Sequence, residues 1–379
     1  MSVTVCLGPA NTLAYPKAGG YLWIHLNWAL GLRALGCRVI WLDGISPGTP
    51  AAEVRASVTA LKENLAPYGL AECLAVCSWD GEPLPPGAAE GCLDLNAAAE
   101  ADLFVNFRYV TPMEIVGRFR QSALVDIDPG LLQTWVGMGG LRLAPHDAYF
   151  TIGESVGQTG ARFPDLGLRW QYTPPCVALD WWPEREARRH APFTTVSNWY
   201  MDEFIQDADG TFYRNDKLTG FHPFLDLPSR TDQPLELALC LAADDDDYRA
   251  NLRERGWRVR DAWEIVPTPR SYQRYVQDSR GEFSCAKPGY VRLQTAWLSD
   301  RTICYLASGK PAVVQHTGPS RFLPDAAGLF RFRDLDEAAR HLEAVAADYD
   351  RHSRLARALA EEHFDARKVV GSVLERALR

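Results

Sequence analysis

Long apolar runs are missing from this chain of 379 residues: none approaches the ~18–20 uninterrupted apolar positions that cross a bilayer, and the opening MSVTVCLGPA has no basic segment leading into an apolar core. The expectation is a cytoplasmic protein with no membrane span. An excess of positive charge is missing too. Forty Lys+Arg against forty-eight Asp+Glu leave a formal charge of −8, which argues against a nucleic-acid partner held by neutralising phosphates along a broad surface. A small local anion site stays compatible with that balance. Lysine is scarce, six against 34 arginines, so Lys17, Lys217 and Lys287 can be weighed one by one, and the skew fits a GC-rich bacterial genome. Metal-ligand spacing is absent as well: nine cysteines are scattered, several inside apolar runs (Cys6, Cys37, Cys240, Cys285), and Cys73, Cys77 and Cys92 lack a CxxC step. The acidic run Asp244 to Asp247 stands where a helix opens, so its carboxylates are expected to cap free N–H groups and to hold no metal.

What is present is enough core for one large domain or two ordinary ones, with 47% apolar residues. The first forty-five residues read as strand (VTVCLG), loop (Lys17-Ala18-Gly19-Gly20), helix (YLWIHLNWALGLRALG) and strand (CRVIWLDG), a βαβ unit whose crossover implies a parallel sheet. DLFVNF, ALVDI and AYFTI continue the strand series. Four prolines and paired tryptophans in 174–192 then interrupt the rhythm as a linker or hinge does. FTTVSNW, LELALCLA, WRVRDAW, GEFSCAK and KPAVVQ restart the strands, with a helix expected from about Val291 to Ser308 and helical periodicity from Asp334 onward, interrupted by Gly371. The fold class is therefore α/β: two Rossmann-like domains, 1–180 and 190–379, facing a cleft, with C-terminal helices. Open parallel sheets bind ligands outside the carboxyl ends of their strands, so chemistry is expected in the loops lining that cleft.

The segment GEFSCAKPGYVRLQTAWLSDRTICYLASGKPAVVQHTG, with the tail AAGLFRFRDLDEAARHLEAVAADYDRHSRLARALAEEHFDARKVV and the strand–Gly-Gly–helix opening, resembles the GT-B glycosyltransferases. The resemblance implies a nucleotide-sugar donor on the C-terminal domain, a small-molecule or natural-product acceptor on the N-terminal domain, no cofactor beyond that co-substrate and no required metal. Self-association into a homodimer is left open. One departure stands out: retaining members carry two glutamates eight positions apart, where this chain has Ala296 and Cys304. Asp300 and Arg301 are placed to take over polar contacts to the donor, and the stereochemical outcome does not transfer.

A diphosphate in an acidic protein needs local neutralisation, which helix N-termini, glycine loops and single cations supply. Lys287, Gly289 and Tyr290 precede such a terminus, and Thr317 and Gly318 occupy another strand-end loop; the same glycines also suit plain turns. Ser197 and Asn198 end the first strand of the second half, and Lys217 follows in a polar stretch, where ordinary loop roles are equally open. Gly19 and Gly20 complete the donor-side set. The resemblance points to His25, just behind the glycines, as a base, and the positive helix end would keep its imidazole neutral; the apolar neighbours Leu22, Trp23, Ile24 and Leu26 suit a buried histidine instead. Asp126 and Asp128 end ALVDID at a strand end, where either suits an alternative base or an acceptor-binding group; Asp128 before Pro129-Gly130 also reads as a turn residue, which makes Asp126 the better candidate. Trp23, Trp28, Trp135, Trp181 and Trp182 suit either a flat acceptor or the core. Competing readings of the whole chain are a sugar-nucleotide epimerase, which needs one more cleft carboxylate pair, and a catalytically silent nucleotide-sugar binder.

Overall fold

Strands buried on both faces have no polar side to present, and this accounts for the continuous apolar runs of the first half. They form β1 (Thr4–Gly8), β2 (Arg38–Ile45), β3 (Leu74–Ser78), β4 (Leu103–Asn106), β5 (Ser122–Asp126), β6 (Ala148–Thr151) and β7 (Trp170–Tyr172). In the computed structural model, which describes residues 3–201, 203–206, 210–242 and 245–379, these strands make one sheet in the order β3-β2-β1-β4-β5-β6-β7. Every pairing in it is parallel. The order reverses between β1 and β4, which places a crevice outside their carboxyl ends.

The second half repeats the scheme. β8 (Phe193–Asn198), β11 (Leu235–Cys240), β12 (Arg258–Asp261), β13 (Gly281–Ser284), β14 (Ala312–Gln315), β15 (Ala326–Ala327) and β16 (Leu329–Phe332) pair in the order β12-β11-β8-β13-β14-β16-β15, with only the short β15 antiparallel. Its reversal falls between β8 and β13, and the two switch points face one cleft. β9 (Phe204–Gln206) and β10 (Phe212–Arg214) form a separate hairpin. No helix among the described residues is long and apolar enough to cross a membrane.

Three expectations change. The helix expected from Val291 to Ser308 is two, Pro288–Leu293 and Asp300–Ala307. Gln294 and Ala296 between them adopt left-handed φ of 56° and 58°, held by Ala296 N–H donating to the Thr317 carbonyl (3.0 Å) and by the Thr295 carbonyl accepting from Glu154 N–H (2.9 Å). Tertiary hydrogen bonds thus override a helical composition. The 174–192 segment crosses between domains but is tied down: Val177 exchanges backbone hydrogen bonds with Phe364 and Ala366, and fully buried Trp182 lies against Trp23 (ring centroids 4.6 Å) and Tyr272. The last helix, Ala366–Ala377, leaves the second domain and packs on Gly19–Ala34 of the first. Gly31 is needed there, since a Cβ would lie 2.8 Å from the Ala366 Cβ. Asp246 and Asp247 do occupy the first turn of a helix (Asp246–Glu254), and Asp244 lies outside the described residues.

Candidate functional site

Where the helix Gly19–Ala34 begins, the backbones of the two domains meet. A Cβ on Gly19 would stand 2.2 Å from the Thr268 carbonyl oxygen, and one on Gly20 would stand 2.6 Å from the Tyr272 ring. Trp23 Nε1 donates to the Pro269 carbonyl (2.8 Å) across the same seam. Beside this seam the cleft opens into a cavity of about 540 Å³, walled by Lys17, Gly19 and Gly20 from the first domain and by Ser197, Asn198, Trp263, Asp300 and Arg301 from the second. A second cavity of about 300 Å³ continues from it toward the first domain, walled by Asn11, Arg108, Tyr109, Asp128 and Trp297. Tyr21, Ile24 and Asp300 line both.

The larger cavity combines helix N-termini with flat apolar walls. Two helices, Gly19–Ala34 and Asp300–Ala307, start at its wall, and no side chain caps the N-terminus of the first. Arg301 sits behind the second, fixed by Nε on Glu282 Oε1 (2.7 Å), Nη1 on the Val196 carbonyl (3.0 Å) and Nη2 on Ser284 Oγ (2.5 Å). Glu282 and the neighbouring phenols hold its proton still more tightly, in opposition to burial. Lys17 is exposed at the rim. Trp263, 46% exposed, and exposed Tyr15 offer flat apolar walls. In the smaller cavity Asp128 accepts hydrogen bonds from Tyr109 (2.9 Å) and, across the cleft, from Tyr290 (2.5 Å).

No protein-family model matches the sequence, and no curated protein matches it. Solved structures do match along the whole chain. An alpha-glucosyltransferase in complex with UDP and a 13-mer DNA superposes with a TM-score of 0.59 at 8% identity, covering 100% of this chain and 99% of its own. HepE from Anabaena, in complex with UDP and glucose, gives 0.57 at 12% identity, with 99% of each chain covered. Sucrose-phosphate synthase from Thermosynechococcus elongatus gives 0.56 at 10% identity, covering 99% of this chain and 98% of its own. The chain has the GT-B fold.

Within this GT-B cleft, Gly19, Gly20, Ser197, Asn198, Asp300 and Arg301 lie on the wall of the larger cavity. The other candidates lie off it. Lys287 is spent on an ion pair with Glu203 (2.9 Å), partly buried on both sides. Gly289 donates its N–H to Asn215 Oδ1 (2.7 Å) and is a glycine because Leu131 of the first domain would be 2.6 Å from a Cβ. Tyr290 stacks on Trp297 (4.0 Å, 3°) and reaches Asp128. This loop joins the domains. Thr317 donates to the Trp297 carbonyl (2.6 Å), and Gly318, at φ +134°, passes within contact of Gln294, so both pin the 294–298 turn. Lys217 is buried behind Arg301 and donates to the Cys285 carbonyl (2.5 Å); burial, with Arg301 adding to it, pushes its pKa down to about 7.

Neither base candidate reaches the cleft. His25 is fully buried among Tyr21, Trp41 and Phe107, accepts from Ala10 N–H at Nε2 (3.4 Å) and, among the described residues, leaves Nδ1 without a partner. Burial, and not the helix end, drives its pKa down to about 3, so the imidazole is neutral but sealed. Asp126 is also fully buried and accepts from Gln133 Nε2 (2.9 Å), Thr151 Oγ1 (2.8 Å) and Asp128 N–H (2.9 Å). It fastens the turn after β5, and burial raises its pKa to about 7. Trp23, Trp28 and Trp182 belong to the core, Trp135 is partly buried, and Trp181 is 37% exposed. Arg108, Asn11, Tyr21 and Trp263 carry no sequence signal that marks them as site residues, whereas Asp128, the less favoured of the two strand-end carboxylates, does line the smaller cavity. Among the described residues no group of three His, Cys, Asp or Glu is placed to hold a metal ion.

Proposed function

We propose that this chain is a glycosyltransferase that takes a sugar from a nucleotide diphosphate and passes it to a small-molecule acceptor, without a metal. The larger cavity takes the donor: diphosphate against the two helix N-termini and Arg301, base against the flat walls near Trp263. The smaller cavity takes the acceptor. The observation that carries the reading is that the two spaces touch at one place, beside Asp300, so an acceptor hydroxyl and an anomeric carbon can be held together while the departing diphosphate is stabilised electrostatically. The solved structures with UDP or UDP and glucose support the donor class. The net charge of −8 supports a small acceptor over nucleic acid. Thermal-shift titration with UDP, TDP and GDP tests the donor site: one of the three is expected to raise the melting temperature, and indifference to all three refutes the reading.

The Asp128 and Asp300 carboxylates on one cavity supply the pair that an epimerase of this fold needs, which makes that the second reading. Product analysis separates the two, because an epimerase returns a nucleotide sugar intact whereas a transferase releases free nucleoside diphosphate.

A further inference from the structure

Two carboxylates face the smaller cavity, and their surroundings differ. Asp128 is held by two phenol hydroxyls, from Tyr109 and Tyr290, both donating to it. Asp300 opens the helix Asp300–Ala307, and among the described residues its carboxylate has no donor other than its own backbone N–H. It is the one carboxylate that lines both cavities. An unengaged oxygen at that junction is free to accept a proton from a hydroxyl seated in the smaller space. Asp128, with a phenol donor on each oxygen, is suited to orient and to supply fixed negative charge.

We infer that Asp300 is the general base of the transfer reaction proposed above, with Asp128 as the charge that tunes it. In the step, the acceptor oxygen forms a bond to the anomeric carbon, the bond from that carbon to the diphosphate oxygen breaks with its electron pair leaving on the nucleoside diphosphate, and the hydroxyl proton passes to the Asp300 carboxylate. The groups facing Asp300 are Asp128 from the turn after β5, Tyr21 from the helix Gly19–Ala34, Cys176 from the connector, Arg108 across the smaller cavity, and Arg301 and Cys304 on its own helix. Burial first, then the Asp128 charge, raise its pKa to about 6 against the opposing pull of Arg301. A carboxylate poised there is unprotonated at neutral pH yet basic enough to share a proton in the transition state. Two neighbouring carboxylates made unlike by their partners are the pattern from which acid–base roles are assigned.

The inference rests on the transferase reading, and the experiment keeps the two apart. The full chain is titrated with UDP, TDP and GDP, and release of nucleoside diphosphate from the matching glucose conjugates is followed with a mixed pool of small sugars and alcohols as acceptor. D300N, which removes a negative charge from the diphosphate's wall, is expected to bind nucleotide at least as tightly as wild type while lowering kcat by roughly 10²- to 10⁴-fold. Wild-type kcat is expected to rise with pH through about 6, the D300N profile to be flat, and D128N to move the rise to lower pH by removing the like charge. Added formate should restore part of the turnover of D300A. Wild-type turnover by D300N, a loss confined to nucleotide affinity or KM, or nucleotide binding with no release by the wild type overturns the assignment. Failure to bind any of the three nucleotides overturns the transferase reading beneath it.

Discussion

Replacing Arg301 by Met tests how the cavity wall is held. Glu282 on β13 has no exposed side-chain surface, and its only partner among the described residues is the Arg301 guanidinium, 2.7 Å from Oε1; Oε2 has none. R301M leaves that buried carboxylate without a hydrogen-bond donor and also takes a donor from the Val196 carbonyl and from Ser284 Oγ. Breaking a buried pair from one side costs about 3–5 kcal/mol, whereas replacing both partners by apolar residues is often near neutral. For a lobe of this size that is a fall of roughly 6–20 °C in apparent melting temperature. Differential scanning calorimetry on R301M and on the E282M/R301M double variant should show the double recovering most of the loss. Isothermal titration below the melting range should show nucleotide binding weakened roughly tenfold to a hundredfold in both, the worth of one charge-assisted hydrogen bond. A single variant within about 1 kcal/mol of wild type, or a double no more stable than the single, would sink the argument that Arg301 is anchored by a buried charge it neutralises.

Gly19→Ala should destabilise by about 1–3 kcal/mol and weaken nucleotide binding, because the added methyl meets backbone at Thr268 that cannot step aside; Gly371→Ala, with nothing closer than Leu35 Cδ1 at 3.6 Å in the helix Ala366–Ala377, should stabilise by about 0.5–1 kcal/mol, both read from melting curves. Asp126 binds its proton more tightly folded (about 7) than unfolded, so its contribution to stability is present below the unfolded value and is lost as pH rises through 7. Melting temperatures of wild type and Asp126→Asn compared from pH 5 to 8 should therefore fall less for the variant, and parallel curves would contradict the buried-acid assignment. Tyr290→Phe deletes the hydrogen bond to Asp128 across the cleft, worth about 1.5–3 kcal/mol, and should lower the melting temperature and raise the radius of gyration in solution scattering.

Both sheets and the facing cleft could be read from the chain because parallel strands announce themselves as apolar runs and the connecting helices as spacing. Side-chain partnerships could not. Lys287 beside a glycine has the look of an anion grip until Glu203, 84 positions earlier, is folded against it. Gly19 and Gly20 were picked for a phosphate and are on the cavity wall, yet the contact that forbids a side chain there is Thr268 and Tyr272 of the other domain. Asp126 and Asp128 differ by two positions, and local sequence favours the strand-end residue. Only the surrounding donors, Gln133 and Thr151 for one and the two phenols for the other, decide which is sealed and which faces the cleft. The break at 294–299 carries neither glycine nor proline; its left-handed turns are imposed by Thr317 and Glu154.

Because the helix Ala366–Ala377 rests on Gly19–Ala34, the front lobe is finished only after the whole rear lobe has been synthesised. While the ribosome is still making the rear lobe, the surface that will receive Ala366, Val369, Val370 and Val373 stands uncovered, so the nascent chain carries an open apolar seat until that helix emerges. A message truncated before codon 366 would yield a protein with that seat permanently exposed, a substrate for chaperones and proteases even though every strand of its first sheet is encoded.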